Sequence, residues 1–310
     1  MNVIRHPVGV ARERAVAIGK FDGLHRGHAA MIERMREEAA RRGIASAVLT
    51  FEPLPPEFFA PREAPPRLMA TAEKLALLGT LGVNTTFLQR FDRTFSSLTP
   101  HAFAEHLRVR IGARWVIVGE EFRFGAKRAG DPAILGRLGR ERGFEVEIMP
   151  AVTDGAARIS SGRVRERLAA GDFQGAARLL GRHFAICGRV MHGAQRGRAL
   201  GFPTANVRLA RAKPPVTGVF AVKCHGAATR GLEGVASLGY NPAIVSGGPA
   251  TLEAFLFDFQ GDLYGRRISI EFLKKLRNEA HFASLDELAA QIRRDCDAAR
   301  DFFRAQAGTR

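Results

Sequence analysis

The stretch GKFDGLHRGH, Gly19 to His28, places two histidines three positions apart among glycines 19, 23 and 27. It follows the apolar run Ala15-Val16-Ala17-Ile18 and leads into HAAMIERMREEAARR, whose apolar residues recur at helical spacing. The pair therefore stands where a strand turns into a helix. A helix start offers unpaired backbone N–H groups and the positive end of a dipole, both suited to phosphate. Gly27 allows close backbone approach, while His25 and His28 can donate to phosphate oxygens and stabilise the charge that grows during nucleotidyl transfer. The plainer alternative is that one histidine caps the helix and the other is exposed. A zinc pair lacks the nearby cysteine or acidic residues that would complete a ligand set.

Two more stretches carry similar chemistry. VGEEFRFGAKRAGD (118–131) combines Phe122 and Phe124 with Arg123, Lys127 and Arg128, aromatic faces for a planar ring beside cations for phosphate. ISSGRVRERL (159–168) places Ser160, Ser161 and Arg165 at another helix start. Taken singly, each also reads as a loop with a solvated charge run. On successive strand ends of one sheet, the three support one another.

The elements that must hold them alternate in the first half of the chain. Apolar strands at 15–18, 45–51, 84–89, 114–119 and 144–149 are separated by helical patterns such as TAEKLALLGTLG, PHAFAEHLRVRIG and PAILGRLGRERG. This predicts a doubly wound parallel sheet, in which ligands bind at the carboxyl ends of strands. The proline-rich segment 53–67 reads as a long loop. Near residue 183 the pattern changes to short strands with turn signals: FAICGRVM, GVFAVKCHG, LEGVASLG, TLEAFLFDF and RRISIEFLKKLR. They predict a small antiparallel β-barrel closed by one helix, Leu285 to Phe303, opened by the capping pair Ser284 and Glu287. The expected domains are 1–182 and 183–310.

A chain of 310 residues with a 46% hydrophobic fraction can bury two cores. No run approaches the roughly 20 apolar residues that span a bilayer, and the N-terminus lacks the apolar core of a secretory signal, so the cytoplasm is expected and a membrane partner is not. Three cysteines at wide spacing predict unpaired thiols. The net charge of +16 raises nucleic acid as a partner. The excess is spread over both halves with no basic tail or block, which argues against a polynucleotide, while small anionic substrates remain compatible with the charge.

The N-terminal part resembles the FMN adenylyltransferase module of the prokaryotic bifunctional riboflavin kinase/FAD synthetases, through GKFDGLHRGH, TFEPLP, VGEEFRFGAKRAGD and ISSGRVR in that order. The C-terminal part resembles their riboflavin kinase module, through GRVMHGAQRGRALGFPTANV, GVASLGYNPA, LEAFLFDFQGDLYG and FLKKLRNEAHFASLDELAAQI. The resemblance covers nearly the whole chain. It implies phosphorylation of riboflavin to FMN by ATP, then adenylylation of FMN to FAD, with Mg²⁺ required and riboflavin, FMN, FAD and ATP as the molecules bound. It implies an ATP site for adenylylation at Gly19, Phe21, Asp22, His25, Gly27, His28, Ser160, Ser161 and Arg165, with FMN held by Phe122, Arg123, Phe124 and Arg128.

In the kinase half, the glycines of the GRVMHGAQRGRALGFPTAN region, Gly193, Gly197 and Gly201, can let backbone amides approach phosphates, followed by Pro203. Thr204 and Asn206, two apart on an extended segment, point to one side and offer oxygens to a hard cation. By resemblance they are the metal and ATP residues, Glu253 is the general base facing a barrel mouth, and Arg277 lies near flavin and nucleotide; an outward-facing Glu253 is the plainer alternative.

Three positions depart from the family pattern: Gly162 stands where I-S-S-T has threonine, Leu54 where histidine or glutamine is frequent, and Ala243 where threonine is common. Gly162 motivates a second reading, a riboflavin kinase with a degenerate N-terminal domain in a regulatory or assembly role. Charge alone motivates a third, a basic RNA-associated protein.

Overall fold

The computed structural model describes residues 1–7, 9, 12–193, 201–211, 213–240 and 250–308. It divides into two compact units, Met1–Pro65 with Thr71–Ser160, and Pro66–Ala70 with Ser161–Arg310. The packing division thus falls upstream of the 182/183 boundary expected for the domains.

The first unit is a parallel six-stranded sheet. Its strands are β1 (Asn2–Ile4), β2 (Arg14–Ile18), β3 (Ala45–Glu52), β4 (Thr85–Arg90), β5 (Ala113–Gly119) and β6 (Glu145–Met149), in the order β1-β4-β3-β2-β5-β6. β2 is buried along its whole length and β3 through its centre, as a sheet covered on both faces requires. Helices α1 (Arg26–Arg42), α2 (Pro55–Phe59), α3 (Thr71–Thr80), α4 (Arg93–Ser96), α5 (Pro100–Glu105) and α6 (Pro132–Arg142) lie between the strands in sequence. α1 buries Met31, Ile32, Met35 and Ala39 at helical spacing and ends on Gly43 in the left-handed region (φ 65°), which also accepts no side chain readily. Because β3 adds on one side of β2 and β5 on the other, the carboxyl ends of β2 and β5 flank the point where strand order reverses. That crevice is where ligands bind in open parallel sheets.

Two details differ from the sequence reading. The 53–67 segment is not all loop: Leu54 opens α2, Pro55 occupies its first turn without loss of a needed N–H, and the Glu57 carboxylate accepts the Leu54 N–H at 2.9 Å. The helical pattern after Pro100 widens into a π-helical stretch from His106 to Ile111 before Gly112 ends it with φ 75°.

In the second unit, α7 (Ser161–Ala169) and α8 (Phe173–Leu180) precede a closed antiparallel barrel. Its strands are β9 (Phe184–Met191), β10 (Thr204–Val207), β11 (Gly218–His225), β12 (Leu232–Tyr240), β13 (Ala250–Leu256) and β14 (Arg267–Arg277), ordered β10-β13-β12-β11-β14-β9, with β9 pairing back to β10. Phe173 of α8 packs edge-on against Phe220 and stacks with Phe272, joining that helix to the barrel. The closing helix α9 runs Leu285–Ala307, capped by Ser284, whose hydroxyl accepts the Glu287 N–H at 3.2 Å. Its Cys296, Ala299 and Phe303 cover Val219, Ala221, Val235 and Phe257 on the outer barrel face. A separate pair of short strands, β7 (Thr153–Asp154) and β8 (Ala157–Arg158), makes a hairpin in the first unit. The three cysteines are unpaired, and burial pushes the Cys224 and Cys296 thiols up to about 11. Among the described residues no helix is long and apolar enough to cross a membrane.

Candidate active sites

Leaving β2, the chain turns through two non-glycine residues in the left-handed region, Phe21 (φ 50°) and Leu24 (φ 41°), with Gly23 at φ 85°. Such backbone costs on the order of 1–3 kcal/mol per residue and persists only when its surroundings hold it. Here Phe21 and Leu24 are buried, and the Lys20 carbonyl accepts from Thr50 Oγ1 and Lys74 Nζ, each at 3.1 Å. Asp22 is buried in the same corner. His25 then becomes the N-cap of α1: its Nδ1 accepts the His28 N–H at 3.3 Å, and the two rings stack with centroids 3.7 Å apart. Gly27 lies close enough to the His25 ring that a Cβ there would sit at 3.3 Å.

His25 therefore does cap the helix, but His28 is not merely exposed. Its Nδ1 is buried with no hydrogen-bond partner. Burial, reinforced by the positive charges of His25, Lys20, Lys74 and Arg158, holds its pKa well below the usual imidazole value. A neutral, unsatisfied imidazole at a helix N-terminus, ringed by cations, suits an anionic ligand.

Across the crevice, the loop after β5 carries a second cluster of strain. Lys127 (φ 55°) and Arg128 (φ 59°) follow Gly125 (φ 72°), so among the described residues four of the five non-glycine residues in the left-handed region lie in these two loops, the fifth being Asp258. The aromatic pair divides its duties. Phe124, 6% exposed, belongs to the core against Phe103, whereas the half-buried Phe122 stacks on it with centroids 5.6 Å apart. Phe122 is thus the face available to a planar ring, and Phe124 is its backing. Arg123 and Arg128 are exposed, Arg123 donating to the Phe122 carbonyl at 2.9 Å.

Ser160 closes the first unit, while Ser161 and Arg165 belong to α7 of the second, where Arg165 Nε donates to the Pro66 carbonyl at 2.6 Å. Gly162 lies within the first turn of α7.

In the barrel, strand register assembles the other constellation. Asn206 on β10 and Ser237 on β12 are the direct cross-strand neighbours of Glu253 on β13, so all three share one face. Thr204 joins them diagonally, its Oγ1 3.3 Å from Glu253 Oε2. That face also bears Phe255, which packs among the residues beneath α9, so Glu253 looks outward from the barrel wall rather than into its interior. Outward placement leaves the half-buried carboxylate accessible to a hydroxyl, with the Thr204 hydroxyl donating to it. Gly193 packs against the site: a Cβ built there falls 2.4 Å from the Asn206 carboxamide, so a side chain there would displace that carboxamide. Gly201 has φ 83°, a conformation that favours glycine, and Pro203 leads into β10. Gly197 and Ala243 lie outside the described residues. Arg277 has most of its donors engaged: Nε and Nη2 bind the Asp295 carboxylate at 2.9 and 2.8 Å, and Nη1 the Asn278 carbonyl. Asp295 is 4% exposed, so this pair fixes Arg277 against α9.

Sequence reasoning passed over Lys74, Ser237 and the stacked His192–Tyr264 pair (centroids 3.8 Å apart). Lysine in TAEKLALL reads as a solvated helix residue, and Ser237 gains meaning only from register.

From the Gly193 packing we expect Gly193→Ala to displace Asn206 and lower riboflavin phosphorylation kcat/KM by about tenfold or more, since misplacement near 1 Å can lose that much. Adenylylation of supplied FMN should be unchanged. Steady-state kinetics of both reactions on the same preparation check this.

A parallel α/β unit with an anion cradle at its switch point, joined to a six-stranded barrel with a carboxylate set among hydroxyl and amide donors, defines a two-module group-transfer protein. The FAD synthetase family model matches residues 9–163 and the riboflavin kinase model residues 180–303. Bifunctional riboflavin kinase/FMN adenylyltransferases are similar along nearly their whole lengths: that of Escherichia coli (strain K12) is 46% identical over 93% of this chain and 92% of its own, that of Pseudomonas fluorescens 45% over 91% of each, and that of Haemophilus influenzae 40% over 93% and 94%. The chain belongs to the bifunctional riboflavin kinase/FMN adenylyltransferase family. A crystal structure described as a macrolide-efflux protein from Streptococcus pneumoniae aligns over 96% of this chain and 98% of that one, with TM-score 0.79 and 29% identity.

Proposed function

We propose that the chain makes FAD in two steps, each in its own module, with the functional modules read as 1–182 and 183–310. The observation that carries this is that each compact unit contains a separate constellation for phosphate chemistry: the buried, unpartnered His28 nitrogen at a helix start in one, and Glu253 between Asn206 and Ser237 in the other.

At the barrel, Glu253 takes the proton of the riboflavin 5′-hydroxyl as its oxygen attacks the γ-phosphorus of ATP; ADP leaves and FMN forms. Thr204 and Asn206 supply hard oxygen donors. Mg²⁺ relies on few protein ligands and on substrate phosphates. Thr204 and Asn206 would hold Mg²⁺, whose bound charge offsets that of the triphosphate. Gly193, Gly201 and Pro203 bring backbone near ATP, and Arg277, held by Asp295, forms a fixed wall of the flavin and nucleotide site.

At the parallel sheet, an FMN phosphate oxygen attacks the α-phosphorus of a second ATP and pyrophosphate leaves. No side-chain nucleophile is needed. Gly19, Phe21, Asp22 and Gly27 shape the cradle, His25 fixes the helix start, and neutral His28 donates to the phosphate as charge builds. Ser160 adds a hydroxyl for ATP, and Phe122 backed by Phe124 receives the flavin beside Arg123 and Arg128. The cytoplasm, where ATP is abundant, is the compartment that fits these substrates.

Labelled ATP tests the assignment. Label from the γ-phosphate should appear in FMN, and label from the α-phosphate in FAD alone; α-label absent from every flavin product, with FMN still formed, favours the kinase-only reading that Gly162 motivates. Because Gly162 is helical, threonine there fits the backbone and improves on the helix propensity of glycine. If a hydroxyl is the missing donor, Gly162→Thr should raise adenylylation kcat/KM by up to about tenfold, the worth of a hydrogen bond to a charged group. Unchanged or lower efficiency, at preserved kinase activity and Tm, contradicts a missing donor.

A further inference from the structure

Lys74 of α3 is only 2% exposed, an unusual place for an ammonium, which must there be fully partnered. It donates to the Lys20 carbonyl and to Thr50 Oγ1, each at 3.1 Å, and Thr50 Oγ1 itself donates to the same carbonyl at 3.1 Å. The carbonyl at the end of β2 is thus tied to both β3 and α3. It belongs to the peptide unit just before Phe21, the first residue of the turn in the left-handed region. The Phe21 ring lies 5.1 Å from the His28 ring, and it fills the space that a side chain on Gly19 would enter, 3.2 Å from the Cβ position there.

We propose that Lys74 is a positioning residue of the N-terminal transfer site, its ammonium clamping the Lys20 carbonyl so that the corner carrying Phe21 and His28 keeps one shape. The inference rests on that site being the adenylylation centre. A neutral donor would hold the carbonyl equally well in a purely structural role; the charge has a further use. Lys20 from the end of β2, His25 from the helix cap, Lys74 from α3 and Arg158 from β8 all bring positive charge to His28, with Asp22 the acidic side chain buried in the same corner. Lys74 therefore helps to keep His28 uncharged while favouring an anion beside it.

The test uses the full chain with Lys74→Met, Lys74→Gln and Lys74→Arg, measuring FMN adenylylation, riboflavin phosphorylation and the His28 ring titration by NMR. Lys74→Met should lower adenylylation kcat by about 10- to 100-fold, raise the His28 midpoint and leave kinase kcat unchanged. Lys74→Arg, which keeps charge and donors, should recover part of the rate and the low midpoint. If Lys74→Met does not fold, Lys74→Gln, which keeps a donor but loses the charge, carries the same expectation for the midpoint. Wild-type adenylylation kcat and an unmoved midpoint in the folded Met or Gln variant overturn the proposal, as does equal loss of both activities. Failure of the wild-type chain to adenylylate FMN would instead sink the reading of the site.

Discussion

Glu253→Gln should abolish most riboflavin phosphorylation while sparing FMN adenylylation. The substitution keeps the size of the side chain and its place between Asn206 and Ser237, and it preserves an oxygen for Thr204 Oγ1, now 3.3 Å from the carboxylate. What it removes is the capacity to accept a proton. General-base catalysis contributes roughly 10² to 10⁴ in rate, and the drop in FMN formation should fall in that range, chiefly in kcat. The riboflavin KM should change little, because no donor or apolar surface is lost. FAD formation from supplied FMN makes no use of the Glu253 carboxylate and should persist. A variant with near wild-type kinase turnover would remove Glu253 from its role.

The reciprocal result is expected of His28→Ala: FMN adenylylation slowed by around 10² or more, with riboflavin phosphorylation intact. Alanine removes the buried, unpartnered Nδ1, yet leaves the His28 backbone N–H that His25 accepts, so the helix cap survives. The loss should therefore be in turnover more than in folding. Because burial and surrounding cations depress the His28 pKa, its neutral form persists on the acid side of the usual imidazole range. The same shift has a stability consequence. In the unfolded chain this imidazole takes up a proton as pH falls through about 6.5, but in the folded chain it resists until lower pH, so the unit loses stability over that interval. In His28→Ala that part of the acid destabilisation should disappear, which thermal melts between pH 7 and 5 can show.

Much of this was legible in the sequence because it depends on local pattern. Alternating apolar strands and helical periods marked the parallel sheet, short strands with turns marked the barrel, and Ser284 with Glu287 marked the start of α9. β1 escaped notice because three residues pairing with β4 at a sheet edge carry no periodicity. α2 escaped because proline suggests a loop, although proline suits a first helical turn. The candidate residues were legible as types, but their geometry was not. Phe122 and Phe124 look equivalent in EFRFG, yet packing against Phe103 makes one a core residue. The outward face of Glu253 and its neighbour Ser237 follow from register over three strands, and Lys74 gains its role only when α3 is laid against the ends of β2 and β3.

The central claim is that one chain performs both transfers. Purified protein given riboflavin, excess ATP and Mg²⁺, sampled over time with flavins resolved by chromatography, tests it most directly. The account predicts that FMN appears first and FAD follows, with pyrophosphate released in step with FAD. Accumulation of FMN with no FAD, even when FMN is supplied at the start, would contradict it.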